Sequence, residues 1–414
     1  MRSWPGIYRP PLPSAIDIPS LRLRESYSNT LVEISEDKPF TMYVCGITPY
    51  DATHIGHAAT YLTFDLIHRF LLAQGVSVRF LENVTDIDDP LFERALRDGV
   101  PWQDLGKGQV DLFLSDMTNL RILPPIELLT VTEAMEEIIE FISTLAAKGV
   151  TYQIGNDTYL DAARVTDFSD LPYPLEQSIR LFADRGGDPG RSGKRHPLDP
   201  LLWRESGSGE PSWDSPQGKG RPGWHIECNA ISHSLVREKA SATISLQGGG
   251  EDLKFPHHYM TALQEKARSG SAFAEIFVHT GMIRYQGEKM SKSLGNLVFV
   301  SELIGRGIPP MAIRLALLSG HYGNERDWND ALLAEAQDLY QRLLQVLSRD
   351  RVLPYDEVLR EVLIALSDNL DTPKALLALK RYVERVETSP NEEASDVKPG
   401  ALSRFLDTVL GVAF

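Results

Sequence analysis

Cysteine is nearly absent from this sequence: two residues, Cys45 and Cys228, in 414. That excludes a disulfide-stapled scaffold and leaves two thiols whose default role is to pack as small hydrophobes. Long apolar runs are missing too, and no stretch approaches the roughly 20 residues that span a bilayer. The first segment, MRSWPGIYRPPLPS, lacks the continuous apolar core of a secretory signal. A cytoplasmic protein is the expectation. Positive charge is in deficit, with 42 Lys and Arg against 57 Asp and Glu and a net charge of -15. Such a balance argues against a surface built mainly for nucleic acid, although a local basic groove is compatible with an acidic total. There is no internal repeat and no low-complexity tract. The composition is otherwise ordinary for a globular protein, 42% hydrophobic and 24% charged. The length suits two or three domains.

The first forty residues read as an extended, proline-rich arm. FTMYVCGI reads as a strand, broken by Gly46 and Pro49, and AATYLTFDLIHRFLLAQG as a helix with Leu62, Leu66 and Phe70 at helical spacing. VSVRFLENV is the next strand. Strand, turn, helix, strand is a parallel βαβ unit, whose ligands bind at the carboxyl ends of the strands. Residues 102–147 read as two helices inserted in the sheet, within an insertion at about 100–150. Residues 161–223, rich in Gly, Pro and Ser, read as long loops. ATISLQGGG and EIFVHTGM resume the sheet, and after residue 293 the chain reads as helical to its end. The predicted fold is therefore α/β: a Rossmann-like parallel sheet over 41–300 with a helical insertion, an arm over 1–40, and a helical bundle over 301–414.

Two motifs carry chemistry. His54-Ile55-Gly56-His57 sits between a strand-turn and a helix, so its imidazoles share one face beside free N–H groups and a positive dipole end. That setting suits a phosphate, and Gly56 lets a flat base approach the backbone. The second motif, EKMSKSLGN, places Lys289 and Lys292 on a loop after the last sheet strand. Two lysines three apart can grip a triphosphate and neutralise charge as pyrophosphate leaves.

Together these motifs resemble the signature pair of class I aminoacyl-tRNA synthetases. MYVCGITPYDATHIGHA, NVTDIDDPLFERA, RPGWHIECNAIS, GGGEDLKFPHH, GMIRYQGEKMSKSLGN and NLDTPKAL narrow the resemblance to the cysteinyl enzymes, from residue 42 to about 376. The resemblance implies a Zn²⁺ ion held by Cys45, Cys228 and His257, which binds the substrate thiolate. Cysteine and serine are similar in size, so an apolar pocket separates them poorly, whereas metal–thiolate bonding is open to sulfur and weak for a hydroxyl. The resemblance also implies His54, His57, Lys289 and Lys292 as catalytic residues. Its pocket residues are Gly46, Ile47, Thr48, Thr60, Asn83, Val84, Thr85, Trp224, Gly250, Glu251, Asp252 and Ile283. ATP would enter with Mg²⁺, for which no motif shows ligands.

Four departures from the tRNA enzymes point one way. The first motif runs on into Ala58-Ala59, Pro90 follows TDIDD, and Thr261 stands where the family's fourth zinc ligand, a glutamate, would fall. The fourth is the tail: residues 301–414 hold 13 Lys and Arg against 18 Asp and Glu, a poor surface for phosphate contacts. These features, with RGGDP at 185–189, resemble the cysteine ligases of mycothiol biosynthesis, a small-acceptor branch; Asp184 stands where that branch usually has Glu. The implied reaction activates L-cysteine as its adenylate and transfers it to the amine of glucosaminyl-inositol. His225 and the TDIDD carboxylates are the candidate bases for that amine. A soluble monomer without nucleic-acid or membrane partners is expected. A shortened cysteinyl-tRNA synthetase is the alternative. A catalytically silent binding module, a reading of a different class, sits poorly with two intact catalytic pairs.

Overall fold

The computed structural model describes residues 1–12, 16–207, 209–237, 243–290, 294–389 and 397–414. Five strands, β1 (Phe40–Val44), β2 (Val78–Val84), β3 (Glu127–Thr130), β4 (Ile244–Gly250) and β5 (Ala274–Thr280), pair in parallel in the order β5-β4-β1-β2-β3. All five residues of β1 are buried, so the strand is mostly apolar on both faces, and its one polar side chain, Thr41, is small and β-branched. Met42 lies between Leu246 and Phe80, and Val44 between Gly248 and Glu82. From β1 the chain builds outward through β2 and β3, then returns to the other side of β1 for β4 and β5. Ligands of such sheets bind where the order reverses, beyond the carboxyl ends of the strands. Here those ends are Val44, which leads into Cys45, and Gly250, which leads into Glu251.

Helix α1 (Ile55–Ala73) follows β1 and is buried on nearly every side, including His68 and Arg69. Its apolar spacing marks the face toward the sheet. The other face is covered by two helices of the C-terminal region, Pro310–Leu318 and Gly400–Leu410. A fully buried charge cluster fastens the three together. Asp65 accepts from Arg69 Nε at 2.8 Å and pairs with Arg314, all at 0% exposure. Arg314 also donates to the carbonyls of Leu410 (2.6 Å) and Leu120 (2.7 Å), and Arg69 to that of Asp407 (2.7 Å). Burial of these charges is tolerable because each is paired and the remaining N–H groups find oxygen acceptors.

The helices expected over 102–147 are Trp102–Asn119 and Met135–Ala147, with β3 between them completing the edge of the sheet. Its four residues are too few for periodicity to reveal. The loops expected over 161–223 are more ordered than composition suggested. They contain helix Leu175–Asp184 and strands Leu201–Glu205 and Gly220–Pro222, which join Thr151–Ile154 and Asp157–Leu160 in a four-stranded antiparallel sheet. The arm carries two short paired strands, Arg22–Arg24 and Leu31–Glu33. The helical C-terminal region includes a strand, Arg326–Trp328, paired with Ile283–Tyr285. Among the described residues, no helix is long and apolar enough to cross a membrane.

Candidate active site

His54 caps α1, its Nδ1 accepting from Gly56 N at 3.0 Å. The His54 and His57 rings stack at 3.8 Å and 23°. Burial, and then the neighbouring His57, push His54 down to about 3; burial holds His57 at about 4. Burial thus disfavours the charged form of both rings. Among the described residues, His57 Nδ1 is buried without a hydrogen-bond partner. The second motif lies against the first although more than two hundred residues separate them. Ile55 N donates to Val298 O at 2.8 Å, Val300 N to Thr53 O at 3.2 Å, and His54 bridges Phe299. A methyl group on Gly56 would touch Met290 at 3.8 Å. Lys289 itself is exposed at the end of a short hairpin, and Asn296 Nδ2 donates to its carbonyl at 3.1 Å. Lys292 lies outside the described residues.

Beyond the end of β1, Cys45 meets Cys228 from helix α2 (Trp224–Arg237) and His257 from the kinked segment after β4. One donor atom from each lies within 4.8 Å of the others, and all three residues are buried. The hydrogen bond from Cys45, with the neighbouring His257, holds the Cys228 thiol well below its usual range, while burial pushes Cys45 up. His257 Nδ1 lies 3.0 Å from His225 Nδ1, and its Nε2 is buried with no hydrogen-bond partner among the described residues. When His257 Nδ1–H is the donor, Nε2 carries the free lone pair, the arrangement that metal-binding histidines adopt. Two soft sulfurs and an imidazole suit zinc. Thr261 is fully buried and donates its hydroxyl to His257 O at 2.9 Å, so it is spent on the backbone.

The remaining expected residues gather around these two centres. Asn83 Oδ1 accepts from Tyr43 OH (2.9 Å) and Gly46 N (3.1 Å), and its Nδ2 donates to Thr85 (3.2 Å). Thr85 N donates to Ile47 O at 2.9 Å, and Tyr50 N to Thr48 O at 2.8 Å. The Val84 carbonyl, at the end of β2, accepts from Val131 N. Thr60 shares a hydrogen bond of 2.8 Å with Thr280, joining α1 to the end of β5. Trp224 stacks on His257 at 4.2 Å and 22°. Gly250 starts the short helix Glu251–Leu253, and Asp252 pairs with Arg185 at 3.2 Å. Ile283 is buried in the strand after β5.

Several of the candidate bases are already engaged. His225 is neutral, held well below its usual value by burial, and is bonded to His257. Asp86 accepts from the backbone and hydroxyl of Thr132, and Asp89 pairs with Arg221 and Arg204. Asp88 caps helix Asp89–Asp98, and burial pushes it up to about 6. Sequence reasoning missed His258, whose Nε2 lies 3.2 Å from Cys45 Sγ and whose Nδ1 lies 2.8 Å from His279 Nε2. FPHH offered two adjacent imidazoles, and consecutive residues of a helical turn point in different directions, His257 to His225 and His258 to Cys45 and His279.

Residues 31–338 match the family described as tRNA synthetases class I (C) catalytic domain. Over 419 residues the chain is 45% identical to a curated protein of Mycobacterium sp. (strain KMS), named L-cysteine:1D-myo-inositol 2-amino-2-deoxy-alpha-D-glucopyranoside ligase. The match covers 100% of this chain and 99% of that one. A Corynebacterium jeikeium protein, named ligase 2 of the same kind, is 46% identical over 424 residues, with 100% of both chains covered. Among solved structures, Mycobacterium tuberculosis methionyl-tRNA synthetase in complex with methionyl-adenylate superposes with a TM-score of 0.62 at 18% identity, covering 91% of this chain and 88% of that one. The ternary complex of Agrobacterium radiobacter K84 agnB2 LeuRS-tRNA-LeuAMS gives 0.66 at 12% identity, covering 92% and 84%. These two likenesses concern the fold.

Proposed function

Because this chain belongs to the L-cysteine:1D-myo-inositol 2-amino-2-deoxy-alpha-D-glucopyranoside ligases, and its catalytic region to the class I (C) tRNA synthetases, we propose that it joins L-cysteine to that amino sugar at the expense of ATP. The observation that carries the reading is the buried Cys45, Cys228 and His257 group at the carboxyl end of β1, the strand whose turn leads into the stacked His54 and His57 pair.

In the first step a cysteine carboxylate oxygen attacks the α-phosphorus of ATP. The bond to pyrophosphate breaks and cysteinyl-adenylate forms. His57 offers its buried Nδ1 to the phosphates, His54 holds the start of α1 in place, and Lys289 with Lys292 neutralises the departing pyrophosphate. ATP enters with Mg²⁺. Cys45, Cys228 and His257 would hold zinc, which when bound supplies a thiolate-selective contact for the substrate sulfur. Asn83 fixes the turn at Gly46, and Trp224 walls the pocket over His257. In the second step the free amine of the sugar attacks the adenylate carbonyl, loses a proton, and displaces AMP to leave an amide. We take residues 41–300 as the catalytic unit, 1–40 as an arm and 301–414 as a helical support, in a cytoplasmic monomer.

The test is AMP release from ATP and cysteine, with either glucosaminyl-inositol or tRNA added. Strong stimulation by the amino sugar and none by tRNA is the expected result. Stimulation by tRNA alone would overturn the proposal in favour of a short cysteinyl-tRNA synthetase.

A further inference from the structure

The ligase reading leaves the acceptor's binding residues unassigned, and one partly exposed pair of side chains, Arg185 and Asp252, stands at the carboxyl end of β4. Helix Leu175–Asp184 ends in Arg185, followed by a tight turn at Gly186 and Gly187. Gly186 has φ of +83°, and a Cβ on Gly187 would lie 2.4 Å from the Phe182 ring, so the turn requires glycine at both positions. Asp188 then anchors the turn to the antiparallel sheet, accepting from Tyr159 OH at 2.5 Å and from Lys194 Nζ at 2.8 Å. Beneath it, buried Phe182 stacks on His225, which in turn bonds His257. The turn is thus fastened both to the sheet and to the zinc-site histidines.

This rigid turn holds the Arg185 guanidinium 3.2 Å from Asp252 Oδ2, at the carboxyl end of β4. The two side chains remain 35% and 34% exposed, accessible at the edge of the site. The charges of Asp51, Asp88, Arg185 and Asp252 all act on the Tyr50 phenol, and Asp51 and Asp252 on His54. Each sugar hydroxyl is both donor and acceptor, and an accessible Arg–carboxylate pair offers spare N–H groups and spare lone pairs side by side.

We propose that Arg185, held against Asp252 by the 185–189 turn, is a specificity-determining residue of the acceptor subsite that binds hydroxyls of the amino sugar. The proposal rests on the ligase reading above.

The experiment measures two half-reactions in the full-length enzyme: cysteine-dependent ATP–pyrophosphate exchange without acceptor, and AMP release with glucosaminyl-inositol or with glucosamine. Arg185→Ala should raise KM for glucosaminyl-inositol about tenfold or more, the loss of one charge-assisted hydrogen bond, while exchange falls less than about threefold. Its preference for glucosaminyl-inositol over glucosamine should shrink in parallel. Arg185→Lys keeps the charge without the planar fork and should show the same split at smaller amplitude, which carries the test if the alanine variant does not fold. An unchanged acceptor KM overturns the proposal. Equal losses in both half-reactions also overturn it, since Arg185 would then act only by holding Asp252 beside the adenylate. If wild-type enzyme is not stimulated by glucosaminyl-inositol, the ligase reading fails and this assignment with it.

Discussion

Replacing Gly46 with alanine should damage cysteine activation far more than it damages folding. A Cβ at this position would lie 1.6 Å from Asn83 O and 2.7 Å from the Asn83 carbonyl carbon. Ordinary carbon contacts are about 3.5–4.0 Å, so the turn after β1 and the end of β2 must separate by roughly 2 Å. Both obstacles are backbone atoms, which no rotamer change can move aside. Overpacking of this kind typically costs about 1–3 kcal/mol of stability. The site suffers more, because Asn83 Oδ1 holds Gly46 N and Tyr43 OH together and Cys45 is the adjacent residue. A displacement of about 1 Å in a positioned group can cost on the order of 10²-fold in rate. Cysteine-dependent ATP–pyrophosphate exchange should therefore drop by about two orders of magnitude, while urea unfolding still shows a cooperative transition. A folded Gly46→Ala variant whose exchange stays within about threefold of wild type would refute the reasoning.

Cys228→Ala should lose bound zinc and cysteine-dependent exchange together; metal analysis alongside exchange checks this, and normal exchange would sink the metal role. Arg314→Ala removes one partner of the buried Asp65 cluster and orphans two carbonyls, and should lower the unfolding free energy by about 3–5 kcal/mol in urea titrations. A loss below about 1 kcal/mol would mean that the C-terminal helices are not fastened to α1 through this cluster. Glu82 is fully buried, and desolvation holds its carboxyl well above the usual range despite a contribution from Tyr61. The unfolded chain ionises this group at ordinary carboxylate pH while the folded chain keeps it protonated, so its contribution is complete at low pH and is lost as pH rises. Glu82→Gln should therefore gain stability over wild type between pH 5 and 8, and a pH-independent difference would contradict the assignment.

The sequence by itself determined the elements whose signal is local and long. The β1, α1 and β2 unit was legible because a buried parallel strand is a mostly apolar run and α1 repeats its apolar residues at helical spacing. The two motifs were legible as short strings with a phosphate-binding logic. The rest depended on distant meetings. β3 and the strands of the antiparallel sheet are three to five residues long, too short to show periodicity, and exist because neighbouring strands supply their hydrogen bonds. Cys45, Cys228 and His257 follow no spacing rule; resemblance named them, and the sheet's reversal together with α2 brings one donor atom of each within 4.8 Å of the others. Tertiary structure alone decided that Thr261 turns to the backbone, that His258 reaches Cys45, and that Arg185 crosses to Asp252. Side-chain partners are chosen by packing between remote segments, and that information is carried by the folded backbone, not by any window of sequence.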